Sequence, residues 1–389
     1  MSVYAIISEF NPFHNGHKYI IDCAKARGAE AVVCVMSGNA VERGELALLD
    51  KYYRAEMALR CGADLVLELP YPWCASSAEG FARTGVRIAA EFADTVLFGS
   101  ECGDSEMLSE AARICREPDF IDGYRSTVGD NVGAAEAYFE LLERRTGRKY
   151  SSNDILGIEY MKAADILGVS LGFETVKRVG GGYLDRELGE GALQSATALR
   201  NSLFRDGIGA LAGYMPDACI DILKKATENR DISEGEKLER AMKLFFRMKN
   251  PRELDGIAEL DEGLASRICR AARESAEGGF VDMIRTKRYT DSRIRRALLF
   301  ALTGVRREDV AALPAYVNLL GADSVGRALL AAKRKSGSIE VLAKSADIPQ
   351  NALAQRQAEL SESLDSVFSL SLGRERAVSD MLKRSPIIL

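Results

Sequence analysis

The sequence predicts an α/β fold in which a parallel sheet fills the first half and a mainly α-helical region the second. Three observations carry that expectation. Short β-rich runs alternate with amphipathic stretches from the start to about residue 205, the strand signals fade beyond Pro216, and a sharp turn with the chain's only two histidines follows the first run. In order, Val3 to Ser8, Ala31 to Met36, Asp64 to Leu69 and Thr95 to Phe98 are bounded apolar segments of strand length, rich in aliphatic residues. Between them lie helical patterns such as Tyr52, Ala55 and Leu59, whose three- and four-residue spacing puts them on one face. Strand and helix in alternation imply right-handed crossovers and a parallel sheet. Ser170 to Thr175, with a helix opening near Ser195, adds a further pair. Glu234 to Met248, Gly263 to Ser275 and Asp291 to Leu302 then read as helices. We therefore expect two domains, 1–210 and 211–389, with the boundary near 205 to 216 resting on the change of pattern alone.

A chain of 389 residues, 47% of them hydrophobic, is long enough for substantial cores. Its longest apolar runs fall far short of the roughly 20 residues a membrane helix needs, and Met1-Ser2-Val3-Tyr4 has no basic segment ahead of an apolar one. The expectation is a cytoplasmic protein without membrane contact. Eight cysteines, never closer than eleven apart, form no Cys-x-x-Cys clamp and read as reduced, mostly buried thiols. The net charge of -5 argues against a nucleic-acid binder taken as an average, yet Arg285 to Lys335 holds twelve Lys or Arg against four Asp or Glu. That segment is either a solvated helical face or a surface for a polyanion.

Both histidines stand in His14-Asn15-Gly16-His17, directly behind the first predicted strand. In an open parallel sheet, ligands bind at the carboxyl ends of strands, where helix N-termini present unpaired N–H groups and partial positive charge. Two residues three apart in an opening turn share one face, so both imidazoles can reach one ligand, and Gly16 leaves room for close backbone approach. Phosphate oxygens that gain charge in a transition state suit such donors. A metal site would need a third ligand, and only Glu9 is adjacent; a buried, purely structural pair is the other alternative.

The segment Ser8-Glu9-Phe10-Asn11-Pro12-Phe13-His14-Asn15-Gly16-His17 resembles the His-x-Gly-His signature of the nucleotidyltransferase superfamily, and Asn-Pro-Phe-His-Asn-Gly-His in full is similar to the tRNA(Met) cytidine acetate ligase family. Further resemblances follow in order: Met36-Ser37-Gly38-Asn39 with Arg43-Gly44-Glu45, Phe98-Gly99-Ser100-Glu101, Asn153 to Tyr160, Lys177-Arg178-Val179 before Gly182-Tyr183, Ser195 to Arg200, and more weakly Arg288 to Arg296. Asp154 and Gly181 depart from the pattern, where asparagine and alanine are frequent.

The resemblance implies a Rossmann-like nucleotidyltransferase domain and an enzyme that activates acetate with ATP as substrate, Mg2+ accompanying the nucleotide, then transfers the acetyl group to N4 of the wobble cytidine of elongator tRNA(Met). It implies His14 and His17 as catalytic residues. It implies ATP binding by Ile7, Ser8, Glu9, Phe10, Asn11, Pro12, Phe13, His14, Asn15, Gly16, His17, Lys18, Tyr19 and Ile20, with Gly99, Asn153, Arg178 and Val179. Ser195, Thr197 and Arg200 resemble an element that holds phosphates at a second helix N-terminus, although helix capping alone would also account for them. Arg293, Arg295 and Arg296 are candidate tRNA phosphate contacts, and Tyr289 is either a base-stacking ring or a buried one. A nucleotidyltransferase for a small phosphorylated metabolite is the alternative; the long second half and its basic segment favour a macromolecular substrate. A binder of ATP and RNA without turnover would not need both histidines.

Overall fold

The computed structural model describes residues 1–127, 134–178, 191, 193–274, 278–333 and 337–389. Five parallel strands form the first half of the sheet: β1 (Val3–Ser8), β2 (Ala31–Ser37), β3 (Leu65–Leu69), β4 (Thr95–Ser100) and β5 (Gly172–Lys177). Each lies within two residues of its expected start. The crossovers are α1 (Asn15–Ala26), α2 (Lys51–Arg60), α3 (Ala78–Phe92), and, between β4 and β5, α4 (Ser105–Ile114), α5 (Pro118–Thr127), α6 (Ala134–Thr146) and α7 (Ser152–Leu167). Then come α8 (Ala196–Asp206), α9 (Asp217–Glu228), α10 (Glu236–Met248), α11 (Glu262–Ala271), α12 (Phe280–Ile284), α13 (Asp291–Thr303) and α14 (Arg307–Ala311).

Three strands return in the second half: β6 (Tyr316–Ala322), β7 (Glu340–Leu342) and β8 (Ile387–Ile388), with α15 (Ser324–Lys333), α16 (Ala352–Ser371) and α17 (Val378–Leu382) around them. The sheet order is β5-β4-β1-β2-β3-β6-β7, with β8 also paired to β6. β6 runs antiparallel to β3, Leu65 opposite Ala322. The helical reading of the second half is therefore right for most of its length and misses this return. Its physical reason is the otherwise open edge of β3, whose backbone donors and acceptors β6 satisfies.

Alternation in the strands feeds two cores. Val3, Ala5 and Ile7 of β1, with Val33 and Val35 of β2, face the layer of α3 and α7, whereas Tyr4, Ile6, Val32, Cys34 and Met36 face α1, α2 and α9. The strand order places β1 at the point where the chain reverses its direction of travel across the sheet. β2 and β3 were added on one side of it, β4 and β5 on the other, so a crevice opens between the carboxyl ends of β1 and β4.

Candidate active site

The crevice is lined by Ile6, Ile7, Ser8 and Glu9 from the end of β1, by Phe98 and Gly99 from β4, and by Phe10, Asn11, His14, His17 and Ile20 from the turn into α1. Asn153, Leu156 and Tyr160 of α7, Arg178 after β5, and Ser195 with Ala196 at the start of α8 close it.

His14 is the N-cap of α1, and its Nδ1 accepts the Gly16 N–H at 3.0 Å. His17 Nδ1 in turn accepts the His14 N–H at 3.3 Å. The rings stack with centroids 3.8 Å apart, and the edges of Phe10 and Phe13 pack on His17. With both Nδ1 atoms accepting, a neutral ring carries its proton on Nε2, so each imidazole offers a donor there. Burial, and then the Arg178 guanidinium, lowers the His14 pKa to about 3. Burial also holds His17 well below its ordinary value, with His14 and Arg178 adding to the effect. The crevice thus presents two neutral N–H donors.

Ser8 Oγ is buried and has no hydrogen-bond partner among the described residues. Ser195 caps α8 by accepting the Ala198 N–H at 3.0 Å, so the N-terminal end of this helix, at Ser195 and Ala196, stands at the crevice wall. Arg200, one turn on, donates to the Asn11 carbonyl at 2.7 Å and reaches Thr197 Oγ1 and Glu45 at 3.4 Å, so it buttresses the turn from behind. Asn11 itself is buried, and its Oδ1 accepts the Leu48 N–H at 2.7 Å.

Several residues of the signature do not line the crevice. Phe13 is core, Asn15 donates to the Gly213 carbonyl at 2.8 Å, Lys18 pairs with Asp22, and Tyr19 is 44% exposed. Val179, Gly181, Gly182 and Tyr183 lie outside the described residues.

Other groups at the site are ones to which the sequence assigned no role. Glu101 accepts Asn153 Nδ2 at 2.6 Å and Ser151 Oγ, and stands 3.7 Å from Arg178. It thereby fixes both residues beside Gly99. Asp154, the departure from the family pattern, accepts Ser100 Oγ and the N–H groups of Glu101 and Cys102. Burial opposes its ionisation, yet the hydrogen bonds from Ser100 and Ser151 hold its pKa below the ordinary value. Arg54, fully buried in α2, donates to the carbonyls of Glu9 at 2.7 Å, Ser37 at 3.0 Å and Leu49 at 2.9 Å, tying the ends of β1 and β2 together. Burial lowers its pKa to about 10, still charged at neutral pH.

Glu42 also lines the crevice. Its N–H is held by Glu9 Oε1 at 2.8 Å, and burial, partly offset by Arg296, raises its own carboxyl to about 7. Among the described residues no group of three His, Cys, Asp or Glu side chains is placed to hold a metal ion.

A family model described as HIGH Nucleotidyl Transferase matches residues 1–380. The chain is 34% identical over 411 residues to the tRNA(Met) cytidine acetate ligase of Caldanaerobacter subterraneus subsp. tengcongensis, covering all of both proteins. The chain belongs to the tRNA(Met) cytidine acetate ligase family. Another relative, the tRNA(Met) cytidine acetate ligase of Syntrophotalea carbinolica, is 36% identical over 352 residues, covering 86% of this chain and 83% of that protein. The crystal structure of Thermotoga maritima TmcAL bound with alpha-thio ATP superposes with a TM-score of 0.90 at 30% identity, over the whole of both chains.

For a member of this ligase family, the basic segment is arranged unexpectedly. Arg296 is buried between Glu259 at 3.0 Å and Glu42 at 3.6 Å, which corrects its expectation as a phosphate contact. A buried guanidinium with two carboxylate partners has no face to offer RNA. Arg293 pairs with Asp261 at 2.9 Å and Arg295 with Glu45 at 3.3 Å, so both partly exposed guanidiniums already have a carboxylate partner within the protein. Tyr289 is buried, its ring flanked by Arg288 and Arg293, and is not placed to stack on a base. No helix is long and apolar enough to cross a membrane, among the described residues.

Proposed function

We propose that this protein is an ATP-dependent acetate ligase that forms acetyl-adenylate and passes the acetyl group to N4 of the wobble cytidine of elongator tRNA(Met), giving N4-acetylcytidine. The observation that carries the reading is the stacked, neutral histidine pair at the crevice between β1 and β4. Acetate is a poor electrophile until one of its oxygens can leave with AMP. In the first step that oxygen attacks the α-phosphorus and pyrophosphate departs; in the second the cytidine amine attacks the acetyl carbon, AMP leaves and the amine loses a proton.

His14 and His17 donate Nε2–H to phosphate oxygens as charge builds on them, without a covalent intermediate. Arg178 and the first-turn amides of α8 at Ser195 support the same charge, with Thr197 and Arg200 holding that turn against the signature. Gly99 admits the nucleoside against the backbone, since even an added Cβ there would lie 3.5 Å from the nearest side chain. Asn153, Val179 and the stretch Ile7 to Ile20 complete the ATP site, with Lys18, Tyr19 and Phe13 contributing through the backbone and packing. Mg2+ accompanying ATP would add to the neutralisation of phosphate charge. The division at 210 is one of role: residues 1–210 bind ATP, and 211–389 carry the tRNA contacts while lending β6 to the sheet. The substrates put the reaction in the cytoplasm.

Incubation with ATP, labelled acetate and bulk tRNA, followed by nucleoside analysis, tests the reading. Labelled N4-acetylcytidine is expected, and its absence in the presence of acetate-dependent ATP–pyrophosphate exchange would restrict the activity to adenylation.

A further inference from the structure

Arg296 is buried, and Arg293 and Arg295, partly exposed, are paired with Asp261 and Glu45; more exposed cations of the second half lie on α11 and in the loop before α13. α11 presents Gly263, Ser266, Arg267 and Arg270 at three- and four-residue spacing along one face. Opposite it runs the loop Thr286 to Tyr289, closed on itself by the Thr286 N–H to the Tyr289 carbonyl at 3.2 Å and the Tyr289 N–H to Thr286 Oγ1 at 3.0 Å. Between these two walls is an open groove of about 690 Å³. Its lining supplies four cations (Arg267, Arg270, Lys287, Arg288), the three hydroxyls of Ser266, Thr286 and Tyr289, and no carboxylate.

The walls are built to stay apart at this spacing. Arg267 donates through Nε to the Ile284 carbonyl at 2.5 Å, bracing α11 against the end of α12. Tyr289 OH donates to Asp261 at 2.9 Å, and a Cβ on Gly263 would meet that hydroxyl at 2.8 Å, so the glycine sets how closely the loop approaches. The nearby acid Asp261 is already engaged by Tyr289, Arg293 and the Leu264 N–H. Arg270 and Lys287 are exposed.

We infer that this groove between α11 and the 286–289 loop is a docking track for the phosphodiester backbone of RNA, and that it, not the 293–296 arginines, supplies the principal electrostatic contact with tRNA. The inference rests on the proposed tRNA acetylation for the identity of the RNA. An open groove with cations and hydroxyls and no exposed ring matches backbone recognition, which positions a nucleic acid without reading its bases. It also connects physically to the ATP crevice. Arg288 and Arg293 meet at Asp261, Arg293 and Arg296 meet at Glu259, and Arg296 reaches Glu42 at the crevice wall. A polyanion held in the groove is therefore held on a rigid chain of ion pairs that ends at the adenylation site.

The test uses the full chain with Arg270→Glu and Lys287→Glu combined, both exposed positions away from the ATP site. Binding to unmodified tRNA(Met) is measured by fluorescence anisotropy over a range of KCl, beside acetate-dependent ATP–pyrophosphate exchange. The double variant is expected to bind at least about tenfold more weakly near 0.1 M salt, with a log–log salt slope shallower by about 1.4–1.8, as loss of two phosphate contacts requires. Exchange should be unchanged. The charge-conserving pair Arg270→Lys and Lys287→Arg should restore affinity. Unaltered affinity and slope in the reversed variant would overturn the groove, as would equal loss of binding in the charge-conserving pair. Wild-type binding to anionic phosphatidylglycerol vesicles but not to tRNA, lost in the reversed variant, would assign the groove to a membrane surface instead. Absence of exchange in the wild type would count against the proposed activity and leave the binding comparison decisive for the groove.

Discussion

Replacing the histidines one at a time separates what they do for the fold from what they do for ATP. His14→Ala removes the acceptor of the Gly16 N–H, an N-cap worth about 0.5–2 kcal/mol, against a total stability of roughly 5–15 kcal/mol, so the variant stays folded. His17→Ala removes a 3.3 Å contact with the His14 N–H and the ring packing against Phe10, Phe13 and His14, and should cost a comparable amount. On the reaction, loss of either Nε2 donor is expected to slow acetate-dependent ATP–pyrophosphate exchange about 100- to 1,000-fold, or roughly 3–4 kcal/mol of transition-state stabilisation. Because the rings stack at 3.8 Å and face one group of oxygens, the double variant should fall short of the product of the two single losses. His14→Asn is the decisive control. Asparagine is a good N-cap, so the thermal midpoint should recover while exchange does not. Exchange restored by asparagine, or unaffected by alanine, would show that the imidazoles serve the turn and not the phosphates. The same variants carry a pH signature. Both histidines have pKa values lowered in the native state, so on acidification the unfolded chain takes up protons first, and stability falls as pH drops below about 6.5 toward the native values. Replacing both with asparagine should flatten that acid limb in a pH series of thermal melts.

Glu42 titrates in the opposite sense. Its pKa is raised to about 7, so its contribution is intact below the ordinary value and is lost as pH rises through 7; Glu42→Gln should then be the more stable protein above neutrality, by up to ~3 kcal/mol, and parallel melting curves for the two proteins would refute this. Gly44, at φ +73°, has the backbone N of Arg296 2.3 Å from where a Cβ would sit, whereas Gly147, at φ +71°, has open space. Gly147→Ala should cost about 1 kcal/mol of backbone strain, and Gly44→Ala several times that in chemical denaturation; equal losses would mean the loop yields. Glu101→Gln keeps the shape but weakens the hold on Asn153 and Arg178, and is expected to raise the KM for ATP about tenfold with little change in melting temperature; an unchanged KM would remove Glu101 from the site.

Legibility in the sequence followed contiguity. β1 to β4 announce themselves because each is a bounded apolar run, β5 is a partly exposed edge strand read from the alternation of strand and helix, and the His14 to His17 turn is read directly because its parts are neighbours in the chain. β6 was hidden by the same logic. Tyr316–Ala322 follows a helical, basic stretch, and only the open edge of β3, far away in sequence, makes it a strand. β7 and β8, at three and two residues, are too short to carry a pattern. At the site, Glu101, Glu42 and Arg54 went unnoticed as individuals because their roles are contacts between elements. Arg54 reads as the polar side of an amphipathic helix; it is buried because the carbonyls at the ends of β1 and β2 need a donor. Arg296 reads as surface charge for the same reason, since nothing near it in sequence reveals Glu259 or Glu42 as partners.

Those partners bear on how the two halves of the reaction share one chain. The loop after β2 is held from the ATP side by Glu9, whose carboxylate accepts the Glu42 N–H, and by Arg200, which pairs with Glu45 and grips the Asn11 carbonyl. It is held from the other side by α13, through Arg295 to Glu45, Arg296 to Glu42, and the close packing of Gly44 on the α13 backbone. Buried ion pairs of this kind contribute little net stability once desolvation is counted, because replacing them by apolar residues is often neutral. Their use is geometric, as they allow only one arrangement of the loop between the signature turn and α13. On the division of roles proposed above, a cytidine amine meets an acyl carbon made in the crevice between β1 and β4, which requires the second half of the chain to be registered closely on the first. The loop from Gly38 to Asp50 is the segment that touches both, and its Glu42 and Glu45 are what Arg296 and Arg295 of α13 pair with.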